Sequence, residues 1–277
     1  MISSYRTQMP GKSLRGVKNT IAIASGKGGV GKSTVTVNLA ITLAKSGARV
    51  GILDADIYGP SIPMMLGVVD PVQVDGDRYR PIEAHGVQAM SIGYLTEPNS
   101  ALIWRGPMLA KSMIQMLDCT AWDNLDYLLI DLPPGTGDIQ LSLVQKIPLT
   151  AAIVVTTPQN VATHDAQKAL TLFNTMGIHV LGIIENMSHH HCPNCHHESA
   201  LFGAGGAQAL CDTYHCEFLG QLPLEGYVVN DGDRGVPSCL SSHPFSDAFT
   251  KIADKAEAAL RLRPLNYADK FPPLVVE

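Results

Sequence analysis

The sequence predicts a single open α/β domain, a mostly parallel twisted sheet with helices on both faces. Three observations predict it. Short apolar runs alternate with longer helical patterns along the chain, as parallel strands joined by crossover helices require. One such run passes directly into a glycine-rich loop and a helix. Two others end in acidic residues, where open parallel sheets gather the polar groups of a site.

In chain order, residues 1–15 lack strong periodicity and read as a flexible N-terminal arm. Thr20-Ile21-Ala22-Ile23-Ala24 reads as a short buried strand and Val35 to Ala44 as the following helix. Between them, Gly26-Lys27-Gly28-Gly29-Val30-Gly31-Lys32-Ser33 fits G-x-x-x-x-G-K-[ST]. Glycines let the backbone turn tightly enough for several N–H groups to face phosphate oxygens, and the helix N-terminus adds partial positive charge. The loop through Thr34 is therefore an anion cradle. Lys32 would reach the terminal phosphates as a point charge, and the Ser33 hydroxyl would complete the shell of a Mg2+. Lys27, a second lysine inside the loop, narrows the class.

A strand over Arg49 to Leu53 runs into Asp54-Ala55-Asp56. Gly59 to Arg80 is rich in Pro, Gly and Asp and reads as an irregular excursion with at most a small hairpin. A strand at Val87 to Ser91 and a helix at Pro107 to Leu117 follow. The strand Tyr127 to Ile130 then runs into Asp131-Leu132-Pro133-Pro134-Gly135-Thr136-Gly137-Asp138, which resembles a Walker B aspartate and a flexible loop. Asp131 would support Mg2+ directly or through water, and Gly135 would bring a backbone N–H to the γ-phosphate. Further strands are expected at Ala151 to Thr156, His179 to Ile184 and Glu217 to Leu222. Further helices are expected at Ile139 to Lys146, Thr163 to Met176, Gly205 to Tyr214 and Phe245 to Leu262. In the last of these, Phe249, Ile252, Ala256 and Leu260 recur at helical spacing, as packing on a sheet demands. The domain runs over 16–263, and 264–277 reads as a C-terminal tail.

Cys192-Pro193-Asn194-Cys195 lies in a metal loop over 189–201. Its spacing lets two thiolates converge on one metal and leaves a four-ligand site half filled. Zinc held with His191, His196 or His197, adventitious metal on His189-His190-His191, or completion by Cys211 and Cys216 are all compatible with the residues. Cys119, Cys211, Cys216 and Cys239 otherwise read as small apolar side chains. A thioredoxin-like pair does not fit, because the motif does not open a helix after the first strand of a βαβ unit.

At 277 residues, 45% hydrophobic and 16% charged, the chain can bury a large core as one domain. A net charge of -5 argues against broad attraction to nucleic acid or anionic lipid. No run is long and apolar enough to span a bilayer, and Met1 to Lys18 lacks the apolar core of a secretory signal. A cytoplasmic protein with reduced thiols is expected.

The motifs together resemble the Mrp/ApbC family of iron-sulfur cluster carrier ATPases, within the deviant Walker A group of P-loop NTPases. The resemblance rests on Lys27, Asp54-Ala55-Asp56-Ile57-Tyr58-Gly59-Pro60-Ser61, Trp104-Arg105-Gly106-Pro107-Met108, the Asp131 segment, Thr157-Pro158-Gln159, Glu185-Asn186-Met187-Ser188, the cysteine pair and Phe202-Gly203. It covers Gly16 to Pro237. It implies a homodimer binding ATP and Mg2+, in which Lys27 reaches the partner's phosphates like an arginine finger, Asp56 positions the attacking water with Asp54 in the same switch, and Asn186 contacts adenine. It also implies that Cys192 and Cys195 of two subunits bridge a labile four-iron, four-sulfur cluster, received from scaffold proteins and passed to apo-proteins. Compared with longer family members, only a short arm precedes the phosphate loop, so cluster chemistry is expected at Cys192 and Cys195 alone. The other readings are a ParA/MinD-type positioning ATPase, for which the Pro-rich acidic tail is a poor membrane helix and the cysteine pair has no use, and a nucleotide switch with structural zinc.

Overall fold

Strands buried on both faces carry apolar residues at every position, with alternate side chains directed to opposite layers. In the computed structural model, which describes residues 2–57, 59–95 and 106–267 (106–110 by backbone alone), this division builds a three-layer sandwich. Ile21 and Ile23 of β1 (Val17–Ala24) face one layer, and Ala22 and Ala24 the other. The same split recurs in β7 (Leu125–Asp131), where Tyr127 and Leu129 oppose Leu128 and Ile130, and in β8 (Ala151–Thr156), where Ile153 and Val155 oppose Ala152 and Val154.

Among the described residues the main sheet has eight strands in the order β12-β9-β8-β1-β7-β2-β6-β5. The remaining members are β2 (Val50–Asp54), β5 (Ile82–Ala84), β6 (Val87–Ser91), β9 (Val180–Glu185) and β12 (Glu217–Gln221). All pairings are parallel except β5 on β6, an antiparallel edge that the sequence reading did not foresee. The expected small hairpin in 59–80 is β3 (Gln73–Asp75) with β4 (Arg78–Arg80).

One face is covered by α1 (Lys32–Lys45), the single-turn α2 (Ile62–Met65), α7 (Gly226–Asp233) and α8 (Pro244–Arg261). On α8 the apolar stripe Phe245, Phe249, Ile252, Ala256 and Leu260 is buried, as its spacing requires. The other face carries α3 (Gly106–Cys119), α4 (Asp138–Lys146), α5 (Asn160–Thr175) and α6 (Gly206–Tyr214). The sequence reading starts α1 three residues late, because Lys32, Ser33 and Thr34 carry no apolar signal yet form its first turn. It misses α7, whose Gly226, Asn230, Asp231 and Gly232 break any periodic pattern. Trp104 and Arg105 lie outside the described residues.

Residues 2–15, expected as a flexible arm, are laid against the domain. Tyr5 is buried, its N–H donates to Asn19 Oδ1 at 3.0 Å, and it bridges Leu265 of the tail in antiparallel fashion. Gln8 joins the arm to the end of α4 and the start of β8. Its Nε2 donates to the carbonyls of Val144 (3.2 Å) and Ile147 (2.8 Å), and its Oε1 accepts from Leu149 N at 2.7 Å. Gln8→Ala is expected to lower the unfolding free energy by about 1–3 kcal/mol, because it strands these backbone groups. A urea midpoint equal to wild type would show that the arm adds nothing to stability.

Candidate functional site

Strand register brings the acids together. Asp131, the last residue of β7, pairs with Ile23 of β1 on one side and with Asp54, the last residue of β2, on the other. Asp54 in turn pairs with Ser91 at the end of β6. Both carboxylates are fully buried, so each needs donors from the elements around it.

Asp131 is served by the first two turns of α1. Ser33 Oγ donates to Oδ2 at 2.6 Å, Thr36 Oγ1 donates to Oδ1 at 2.8 Å, and Lys32 Nζ stands 2.7 Å from Oδ1. Asp54 accepts from Ser91 Oγ (3.0 Å) and Ile62 N (3.3 Å) on Oδ2, and from Asp56 N (3.1 Å) on Oδ1. Burial first, and then the negative charge of Asp131, push the Asp54 carboxyl up to about 7. Neither Thr36 nor Ser91 was singled out from the sequence. Thr36 has a usable signal, since it lies one turn beyond Lys32 and Ser33 on the same helix face.

Lys32 is 6% exposed, and its ammonium stands beside Asp131 at an angle too sharp for a hydrogen bond, with no other acceptor in reach. A buried cation with unused donors at the floor of a glycine loop fits a phosphate anion. Ser33 Oγ and Asp131 offer the hard oxygen donors that Mg2+ takes. A hollow of about 200 Å3 opens above them and is lined by the loop 27–34, Asp56 and Pro134.

Two glycines hold the loop in place. Gly31 has a φ of 80°, and a Cβ there would lie 2.2 Å from Asn186 Nδ2. At Gly26 a Cβ would lie 2.0 Å from the Asp165 carbonyl carbon, so this glycine serves the close approach of α5 to the loop. Asn186, expected at adenine, is 6% exposed, and its Nδ2 donates to Val30 O at 2.8 Å. It fastens the phosphate loop to the end of β9.

Gly135, with a φ of 90°, was expected to offer its N–H to a phosphate, but in this structure that N–H donates to Ser25 O at 3.0 Å. The loop after β7 folds back on the loop after β1. Lys27 Nζ lies 3.5 Å from Gln159 Oε1, which also accepts from Thr157 Oγ1 at 3.1 Å. The Thr157-Pro158-Gln159 motif therefore parks the second lysine over the hollow.

Cys192 and Cys195 form the tip of a hairpin between β10 (His190–His191) and β11 (Glu198–Ser199). Cys192 N donates to His197 O at 3.0 Å and His196 N to Cys192 O at 2.9 Å, closing the turn. Backbone N–H groups of Cys195 and Asn194 face the Cys192 sulfur and hold its thiol below the usual range. Cys192 is half-buried and Cys195 exposed. Among the described residues no third His, Cys, Asp or Glu ligand atom closes on the pair, so the zinc arrangements with His191, His196 or His197 are not assembled here. Cys211 is in the core, donates to Glu217 O at 3.3 Å and contacts Cys216, and Cys239 is buried beside α1. Their places match small apolar residues.

The Asp54 site generates a pH prediction. The fold keeps the Asp54 proton up to about pH 7, while the unfolded chain releases it near 3.8. Folding thus takes up a proton in that window, and this contribution to stability is lost as pH rises from about 4 to about 7. Asp54→Asn cannot ionise, so without nucleotide its Tm is expected to gain on wild type across the window. Parallel Tm curves would overturn the assignment.

The ParA family described as the NUBPL iron-transfer P-loop NTPase matches residues 16–257. The iron-sulfur cluster carrier proteins of Salmonella typhimurium and Escherichia coli K12 are 53% and 52% identical over 251 residues, covering 89% of this chain and 68% of theirs. A nucleotide-binding protein from Archaeoglobus fulgidus, solved in complex with ADP, superposes with a TM-score of 0.73 at 39% identity over 83% of this chain and 90% of that one. The MinD cell division ATPase of Pyrococcus furiosus, with a TM-score of 0.63 at 22% identity over 87% and 98%, shares the fold alone. With its glycine loop, paired strand-end acids and exposed cysteine tip, this chain belongs to the iron-transfer P-loop NTPases, the family of the iron-sulfur cluster carrier proteins.

Proposed function

We propose that the chain is an ATP-hydrolysing cluster carrier acting as a homodimer, with a labile iron-sulfur cluster as cargo between the cysteine tips of two subunits. The observation that carries this reading is the exposed, half-complete thiol pair, which lacks a further ligand among the described residues of its own chain. A second copy supplies the missing two sulfurs by symmetry. Thiols open to solvent suit a cargo that must leave, here a four-iron, four-sulfur cluster passed from scaffold proteins to apo-acceptors. Neither nucleic acid nor membrane is a partner in this reading. Among the described residues no helix is long and apolar enough to cross a membrane, and the expected cytoplasmic site of action belongs to this proposal.

At the nucleotide, the loop N–H groups from Gly28 to Ser33 and the Lys32 ammonium would bind the β- and γ-phosphates. Ser33 and Asp131 would hold Mg2+, which when bound would neutralise phosphate charge. Asp56, at the rim of the hollow, would orient the attacking water. Lys27 would leave Gln159 to reach the partner subunit's phosphates. Phosphate loss would reach the cysteines through Asn186, whose side chain holds Val30 O and whose backbone leads through Ser188 and His189 into the β10–β11 hairpin. A positioning ATPase would use the same loop but has no use for the thiol pair, whereas a zinc-bearing switch would use both and is separated from a carrier by sulfide incorporation.

Anaerobic reconstitution with iron and sulfide is expected to give a sulfide-containing chromophore near one cluster per dimer, lost in both Cys192→Ala and Cys195→Ala. Stoichiometric zinc without sulfide would overturn the carrier reading. Asp56→Asn is expected to stop hydrolysis and slow transfer to an apo-acceptor. Normal delivery by that variant would separate hydrolysis from carriage.

A further inference from the structure

The hairpin that carries the cysteines at its tip has a second cluster of ligand groups at its base. We propose that His189, His191 and Glu198 form a resident site for one first-row divalent cation, distinct from the cysteine pair. Their ligand atoms all lie within 4.8 Å of one another. His189 and His191 are two residues apart on an extended segment and so share one face, while His190 points away and engages Leu224 O at 2.9 Å. Register sets Glu198 of β11 directly across from His191, with Oε2 3.5 Å from Nε2.

The surrounding hydrogen bonds determine which nitrogens are free. His191 Nδ1 lies 3.0 Å from Glu225 Oε1, a carboxylate that only accepts, so Nδ1–H donates there, and a cation between Nε2 and Glu198 would take the place of a proton shared by those two groups. His189 Nδ1 lies 2.7 Å from Ser188 Oγ, and that hydroxyl already donates to Leu222 O at 3.1 Å. The hydroxyl oxygen therefore accepts from His189 Nδ1–H, which leaves Nε2 as the nitrogen that can bind a metal. Two imidazoles anchored through Nδ1, one by a carboxylate and one by a hydroxyl, have their rings fixed as metal-binding histidines do.

Two nitrogens and one carboxylate oxygen suit Zn2+, Co2+ or Fe2+ over the all-oxygen preference of Mg2+ and the thiolate preference of Cu+. Bonds of about 2.0–2.2 Å require the ligand atoms to draw together. Glu198, with its side chain 63% exposed, is free to swing inward. The histidines also line a hollow of about 460 Å3 against α8, which offers an entry path and a fourth position for water. The Lys255 ammonium at that wall is turned to Phe218 O at 3.0 Å.

The test uses the tag-free full chain carrying Cys192→Ser and Cys195→Ser, titrated with Co2+ and followed by its d–d absorption. The expected result is one Co2+ per chain, no thiolate charge-transfer band, and displacement by Zn2+. His191→Ala and, separately, His189→Gln should weaken binding at least 100-fold while circular dichroism stays unchanged. Glu225→Gln, which acts through His191, should weaken it about 10–100-fold. If the cysteine-free chain takes up no Co2+, or if both histidine variants bind it as the parent does, the proposal fails and the trio is an ion-paired hairpin base.

Discussion

The structure depends on making two buried carboxylates on neighbouring strands tolerable. Asp54 and Asp131 end adjacent parallel strands, and each loses its hydration in the core. Uncompensated, each charge would cost several kcal/mol. The fold answers asymmetrically. Asp131 takes the ammonium of Lys32 and the hydroxyls of Ser33 and Thr36. Asp54 takes only neutral donors and is driven toward its protonated form. The start of α1, the close of β6 and the entry to α2 are all held to this pair, and so the geometry of the phosphate loop is too.

That asymmetry bears on the nucleotide. Lys32 is held against Asp131 as an ion pair without a well-angled hydrogen bond, so an arriving phosphate meets a preorganised cation with donors to spare. Asp54 Oδ2 holds the first N–H of α2, which ties its charge state to the position of Ser61 and Met65 at the edge of the same hollow. Asn186 adds the link in the other direction. Its contact with Val30 O sits six residues before Cys192, a short path from phosphate loop to thiol. The proposed cation at the base of the hairpin would stiffen the last part of that path.

The order of elements, the phosphate loop and the strand-end acids were legible because each has a local signal: continuous apolar runs, spaced glycines, and Asp where a strand stops. The α8 stripe was legible for the same reason. The arm at 2–15 was not, because its hold on the domain comes from Gln8 and Tyr5 meeting backbone groups more than a hundred residues away or in the tail. Ser91 was missed because a single polar residue carries no pattern until register brings it to a carboxylate, and Thr36 because its one signal, helical spacing from Lys32 and Ser33, needs the helix to start at Lys32.

The sequence by itself determined the chemistry on offer: a phosphate loop with two lysines, two acidic strand ends, and two thiols three positions apart. Only the tertiary structure decided which groups act on which. Parallel register set Asp54 beside Asp131 and made one of them a buried acid near neutrality. Packing turned Asn186 onto the loop and the Gly135 N–H onto Ser25. A two-residue strand pairing placed Glu198 against His191. Each of these results from chain segments meeting across long sequence separations, where burial and hydrogen-bond satisfaction, not local propensity, select the partner.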